Sequence, residues 1–312
     1  MDKKARLNLI GQALLLGATL VWGTSFFILK GTIAEYPPMY VIGLRFLASS
    51  IIIGLIFIKR IIKLNKGTFF RGVSVGLCLA GAYLTQTYGL EKTSPSTNAF
   101  LTSLYCVICP FLFWLFYKLK PKSYNVISMG LCVVGLSLVA FSGGEESGNE
   151  FIGCFLTIVS AVFYALQIVF NHRFQNEKDD TFQLIFTQIL TAGIIIFIVS
   201  LIFEFPKYPL TKFAIKKEHV FNVIYLTLAC TVFAQLAQIL GQKWTTPAQV
   251  TIILSLESVF GALFSVLLGG EKLTIMLLSG FIVIFISVMI TELKIDFYKL
   301  LSNKLKNKKS GD

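Results

Sequence analysis

The chain has 312 residues, 55% of them hydrophobic and only 14% charged, with a mean hydropathy of +0.75 and a net charge of +12. A soluble domain of this length needs roughly a quarter of its residues charged to cover its outside, so a water-soluble globule is excluded. The basic surplus lies between apolar runs and at the two ends, which argues against nucleic acid as a partner and for a lipid bilayer with anionic headgroups.

The apolar runs have the length, about twenty residues, that crosses a ~30 Å hydrocarbon layer at 1.5 Å per residue. In chain order, helices are expected at about 10–29, 39–58, 70–89, 95–117, 124–141, 151–171, 182–204, 221–241, 247–268 and 273–291. The first starts in "MDKKARLNLIGQALLLGATLVWGTSFF", a basic start followed by a long apolar run without a small-x-small cleavage site, and reads as an uncleaved span. The breakers "EYPPM", "TSPST", "KLKPKS", "SGGEESGNE", "NEKDD", "FPKYPLTK", "TTP" and "GGEK" separate the rest. The expected fold class is an all-α polytopic membrane protein with ten transmembrane helices. Beyond them, residues 292–312 set Leu293, Phe297, Leu300, Leu301 and Leu305 among lysines. That pattern fits an amphipathic helix on the inner membrane surface, with a solvated, frayed tail as the alternative.

With the N-terminus inside, cytoplasmic segments hold 20 of the 28 Lys and Arg residues, outer segments hold 7, and Arg45 lies within a span. This asymmetry favours a plasma or inner membrane location with both termini cytoplasmic. The connection "EFPKYPLTKFAIKKEH" runs against it by placing four lysines outside. The six cysteines all fall in apolar runs and read as small packing residues, Cys106 and Cys109 included.

Laying Pro95 on Pro247 without a gap aligns residues 81–117 with 233–269 at ten identities in 37 positions. These include Gln86/Gln238, Gly89/Gly241, Thr93/Thr245 and Ser103/Ser255. The division is into residues 1–145 and 146–291, five spans each, with a basic tail after them. An odd number of crossings per copy inverts the second copy in the membrane. Such inverted repeats characterise secondary transporters, whose substrate site lies near the midplane between the copies.

The residues at this point resemble a known family. "TLVWGTSFFILK", with Trp22, Gly23 and Lys30, and "PPMYVIGLRFLAS", with Arg45 and Ala48, are similar to the first two helices of EamA-type members of the drug/metabolite transporter superfamily. "YGLEKTSPSTNAFLTSLYCVICPFLF" and "GQKWTTPAQVTIILSLESVFGALFSVLLGGEKLT" resemble its signature turn and the pore-lining helix that follows. Ser258 departs from the proline usual there, which leaves a kink at that point in question. The resemblance implies a ten-helix alternating-access carrier of a small metabolite, commonly an exporter of amino acids or related compounds.

Glu257 stands ten residues after Pro247, ~15 Å along its helix and near the bilayer midplane, where a charged group costs ~2.5–3.5 kcal/mol on insertion scales. It is the leading candidate for a substrate or proton site, against a neutral acid hydrogen-bonded between helices. Its counterpart in the first copy is Tyr105. Arg45 either snorkels to the outer interface, pairs with helix-end carbonyls or an acid, or binds an anionic substrate group. Trp22, Tyr83, Gln86, Asn98, Gln167, Gln235 and Gln238 must find partners away from lipid, as cavity lining or as bonds between helices. Tyr83 aligns with Gln235 and Gln86 with Gln238, which strengthens these as pairs. His172 reads as an interface residue. Gly130, Gly135 and Gly280 suit close helix approach, within or between subunits of a monomer or homodimer.

No Walker A loop, H-E-x-x-H or G-x-S-x-G occurs. The expected partners are therefore a small-molecule substrate with protons or a counter-substrate, and no cofactor or metal. The alternative is a polytopic membrane enzyme or flippase acting on a lipid-linked substrate.

Overall fold

The computed structural model describes residues 3–118, 120–140, 147–176, 180–245, 247–270, 272 and 274–293, which are helical nearly throughout with no strand among them. The helices are α1 (Lys3–Glu35), α2 (Pro38–Ile56), a short α3 (Ile58–Ile61), α4 (Lys66–Lys92), α5 (Pro95–Thr102), α6 (Tyr105–Tyr117), α7 (Ser123–Ala140), α8 (Ser147–Asn176), α9 (Thr181–Val199), α10 (Lys217–Thr227), α11 (Ala234–Trp244), α12 (Pro247–Gly269) and α13 (Ile275–Leu293). Among the described residues, seven helical stretches are long and apolar enough to cross a membrane, and shorter apolar helices lie in α7, α12 and α13. The outside is apolar, with Leu55, Phe70, Leu115, Phe203 and Phe221 exposed, while Thr, Ser, Asn and Gln side chains are buried within. That is the inverse of a soluble protein, and the chain is an all-α polytopic membrane protein.

Local sequence explains where the helices begin and end. Asn65, Ser94 and Asp180 each cap a helix start by accepting a backbone N–H. Gly270 follows α12 with φ 65°, the left-handed geometry that favours glycine at a helix end. The start of α2 is capped from afar. Pro37 and Pro38 have no N–H, so Met39 and Tyr40 carry the first free donors, and both bond to Glu204 at 2.8 Å. Ser200 also donates to Glu204 at 2.8 Å, across a π-helical turn, Ser200–Glu204, that continues α9.

The apolar stretch expected at 95–117 is present as Pro95–Tyr117, but not as one continuous helix. Residues 95–117 form two helices, α5 and α6, because the chain switches to i→i+3 bonding around Ser103 and Leu104. This lies one to two turns before Pro110, which has no N–H for the Cys106 carbonyl and crowds it. In α12, where Ser258 replaces the family's proline, the helix runs unbroken. The expected amphipathic tail lies outside the described residues beyond Leu293.

The helices sort into groups. α1 packs mainly on α11 and α12, α4 on α8 and α9, α2 on α9, and α7 on α13, while α5 touches both α12 and α8. The same contact occurs twice in this arrangement. A Cβ on Gly89 would lie 2.9 Å from the Gly153 carbonyl oxygen, and one on Gly241 would lie 3.0 Å from that of Gly11. In each case the threonine four residues on returns its hydroxyl to the glycine carbonyl, Thr93 at 2.8 Å and Thr245 at 2.6 Å. The repeated G-x-x-x-T thus has a physical content: close helix approach, then a helix end closed by threonine. Gly135 meets Gly280 and Ile284 in the α7–α13 pair, whereas Gly130 has open space around it.

Candidate functional site

A cavity lies between the helix groups, walled by α1, α2, α4, α5, α6, α8, α11 and α12. Trp22, Arg45, Tyr83, Gln86, Tyr105, Gln235, Gln238 and Glu257 all line it. Asn98 does not. It is fully buried between helices, donating to Thr157 Oγ1 at 2.7 Å and to the Gln86 carbonyl at 3.3 Å. His172 stands at the far end of α8, edge-on to Phe113.

Arg45 turns inward rather than snorkelling and is 1% exposed. Its Nε donates to Thr231 Oγ1, and its Nη2 donates to the Cys230 carbonyl at 3.1 Å. Trp22 Nε1 donates to that same carbonyl at 2.8 Å. The carbonyl is available because residues Leu228–Phe233 form a π-helical turn between α10 and α11. Thr231 helps shape the turn, its hydroxyl donating at 3.0 Å to the Leu226 carbonyl five residues back. The guanidinium also lies 5.5 Å from the Tyr83 ring centroid and 5.7 Å from that of Phe46.

Glu257 is partly buried on α12, and no hydrogen bond or ion pair joins it to another described residue. The cavity therefore holds an anchored cation and an acid without a hydrogen-bond or ion-pair partner among the described residues. Among the described residues, no ion pair connects the two.

The remaining wall is aromatic and amide. Tyr164 packs edge-on to Tyr83 at 5.7 Å and to Tyr105 at 6.3 Å, and donates to Gln86 Oε1 at 2.8 Å. Gln86 Nε2 in turn donates to Thr102 Oγ1 at 3.0 Å. Gln167 Nε2 and Gln235 Oε1 are buried without a hydrogen-bond partner among the described residues, which leaves a donor and an acceptor at the cavity. Among the described residues, no group of three or more His, Cys, Asp or Glu comes together to hold a metal.

Tyr164 escaped the sequence reading, although a signal for it existed. Gly11 and Gly153 occupy equivalent contacts, and sliding α8 onto α1 by that pair lays Tyr164 on Trp22 and Ala165 on Gly23. The packing follows the same register: Gly23 meets Phe260 and Gly261, and the Ala165 carbonyl receives Cys109 Sγ at 3.9 Å.

Comparison with known proteins agrees with this architecture. Residues 9–141 and 151–293 each match the EamA-like transporter family. An uncharacterized transporter of Archaeoglobus fulgidus is 29% identical over 88% of this chain and 83% of its own length. The uncharacterized inner membrane transporter YedA of Escherichia coli K12 is 24% identical over 87% of each chain. A solved crystal structure superposes with a TM-score of 0.64 over 93% of this chain and 98% of its own, at 15% identity, a likeness of fold alone. With both halves matched over most of its length, the chain belongs to the EamA-like transporter family.

Proposed function

We propose that this membrane transporter is an alternating-access carrier of a small zwitterionic metabolite of the amino-acid class, working as an exporter or exchanger. The observation that carries the reading is the pair Arg45 and Glu257, which face one cavity without pairing with each other. Two groups of opposite charge inside the membrane are costly when left apart, and a ligand bearing both a carboxylate and an ammonium partners each of them. Arg45 has two of its nitrogens committed to Cys230 and Thr231, and its Nη1, without a hydrogen-bond partner among the described residues, is available to a ligand carboxylate. The twice-used glycine contact supports two copies, residues 1–145 and 146–291, related by inversion about an in-plane axis. In this reading both termini lie in the cytoplasm and the chain sits in the plasma or inner membrane.

The test is uptake by purified protein in proteoliposomes, screening amino acids and other metabolites with and without an imposed pH gradient. Saturable movement of a zwitterion that competes with its relatives supports the proposal. Transport confined to purely anionic or purely cationic compounds overturns the zwitterion, and product formation without movement across the vesicle overturns the carrier.

A further inference from the structure

Leu29 and Leu90 line the central cavity, while the next residue in each helix, Lys30 and Glu91, lines a second hollow at the Glu35–Pro38 end. One layer of α1 and α4 therefore separates the two spaces, and the Lys30 side chain crosses that seam. Lys30 Nζ donates to the carbonyl oxygens of Leu90 at 2.6 Å, Glu91 at 2.9 Å and Thr93 at 2.8 Å. An ammonium has three donors, and three acceptors converge on it. These carbonyls belong to the end of α4, where the helix leaves acceptors unsatisfied and its dipole favours a cation.

Helix capping alone does not account for the charge. Thr93 returns both its N–H and its hydroxyl to the Gly89 carbonyl and leaves later carbonyls of α4 to Lys30, whereas at the matching end of α11 the neutral Asn8 amide reaches the Trp244 carbonyl at 3.3 Å. α11 ends with the same two bonds from Thr245 to Gly241. What distinguishes the Lys30 contact is that it joins helices whose main packing lies elsewhere, α1 on α11 and α12, and α4 on α8 and α9.

We propose that Lys30 is a gate residue, whose bond to the end of α4 keeps the central cavity shut off from the second hollow. Its release lets α1 part from α4 and opens the cavity towards the Glu35–Pro38 end, the outer one in the topology proposed above. This rests on the alternating-access reading and is independent of the substrate.

The test needs no substrate. In the full chain carrying Ser25→Cys, a cavity position on α1, labelling at position 25 by a membrane-impermeant methanethiosulfonate is read by mass spectrometry from each side of oriented vesicles. Lys30→Met is expected to raise labelling from the Glu35–Pro38 side by about tenfold or more, the scale of losing hydrogen bonds from a charged group, and to lower it from the other side. Lys30→Arg, which keeps the cation, should stay near the parent. Unchanged labelling in Lys30→Met, or an equal rise from both sides, overturns the gate. Lys30→Gln serves if Lys30→Met does not fold, and failure of both to fold marks a structural cap and equally overturns it. Reaction at position 25 from one side only, in the parent and every variant, counts against alternating access itself as well as the gate.

Discussion

Arg45 donates its Nε–H to the hydroxyl of Thr231, and this contact, with the Cys230 carbonyl beside it, holds the arginine on the helix-turn side of the cavity. Thr231 spends its own proton on the Leu226 carbonyl, so its lone pairs face the guanidinium. The π-helical turn thereby engages two of the arginine's three nitrogens.

Thr231→Val keeps the shape of the side chain and removes the acceptor. Hydrogen bonds to charged groups contribute about 1.5–3 kcal/mol, so apparent substrate affinity should fall about tenfold or more while Thr231→Ser remains close to the parent. Concentration dependence of uptake, measured on both variants, distinguishes a loss of affinity from a loss of maximal rate. Equal behaviour of the valine and serine variants would count against the positioning role.

Glu257→Gln retains size and hydrogen-bonding capacity but cannot ionise. Transport should be abolished, or should lose its dependence on the pH gradient, with expression and oligomeric behaviour unchanged. Full uptake with an unaltered pH response in proteoliposomes would remove Glu257 from the mechanism.

Glu204→Ala leaves the N–H groups of Met39 and Tyr40 without their acceptor at a buried helix start. Unsatisfied buried donors cost about 1–3 kcal/mol, so the apparent unfolding temperature in detergent should drop. Glu204→Gln, which still offers one oxygen, should fall between the alanine variant and the parent.

Gly89→Ala and Gly241→Ala each place a Cβ against a neighbouring helix backbone, at the Gly153 and Gly11 carbonyls. Overpacking costs about 1–3 kcal/mol, and both variants should lose thermal stability. Because the two contacts are equivalent, a tolerated alanine at either site would show that the close approach is needed in only one of them. Thermal denaturation of the pair, side by side, decides this.

Much of the architecture was legible because lipid imposes a simple rule on sequence. Apolar runs of bilayer length with Pro, Gly and charged breakers marked the spans, and the Gly89/Gly241 and Thr93/Thr245 identities marked a contact that the structure uses twice. Polar residues in those runs needed partners away from lipid, which is why the search for them led to the cavity wall. Asn98 satisfied the same rule by bonding to Thr157, so the rule alone does not tell cavity from contact. The break between α5 and α6 depended on how the turn before Pro110 relaxes, which composition does not specify.

The sequence by itself determined the membrane class, the repeated turn and the presence of an acid and an arginine among apolar residues. These follow from local properties: hydropathy, length, and the backbone limits of proline and glycine. Only the tertiary structure decided what those groups meet. Arg45 reaches Cys230 and Thr231, Glu204 caps a helix whose start lies far away in sequence, and Lys30 crosses from α1 to the end of α4. Each is a bond between distant segments, set by which helices pack side by side, and no local pattern encodes that choice.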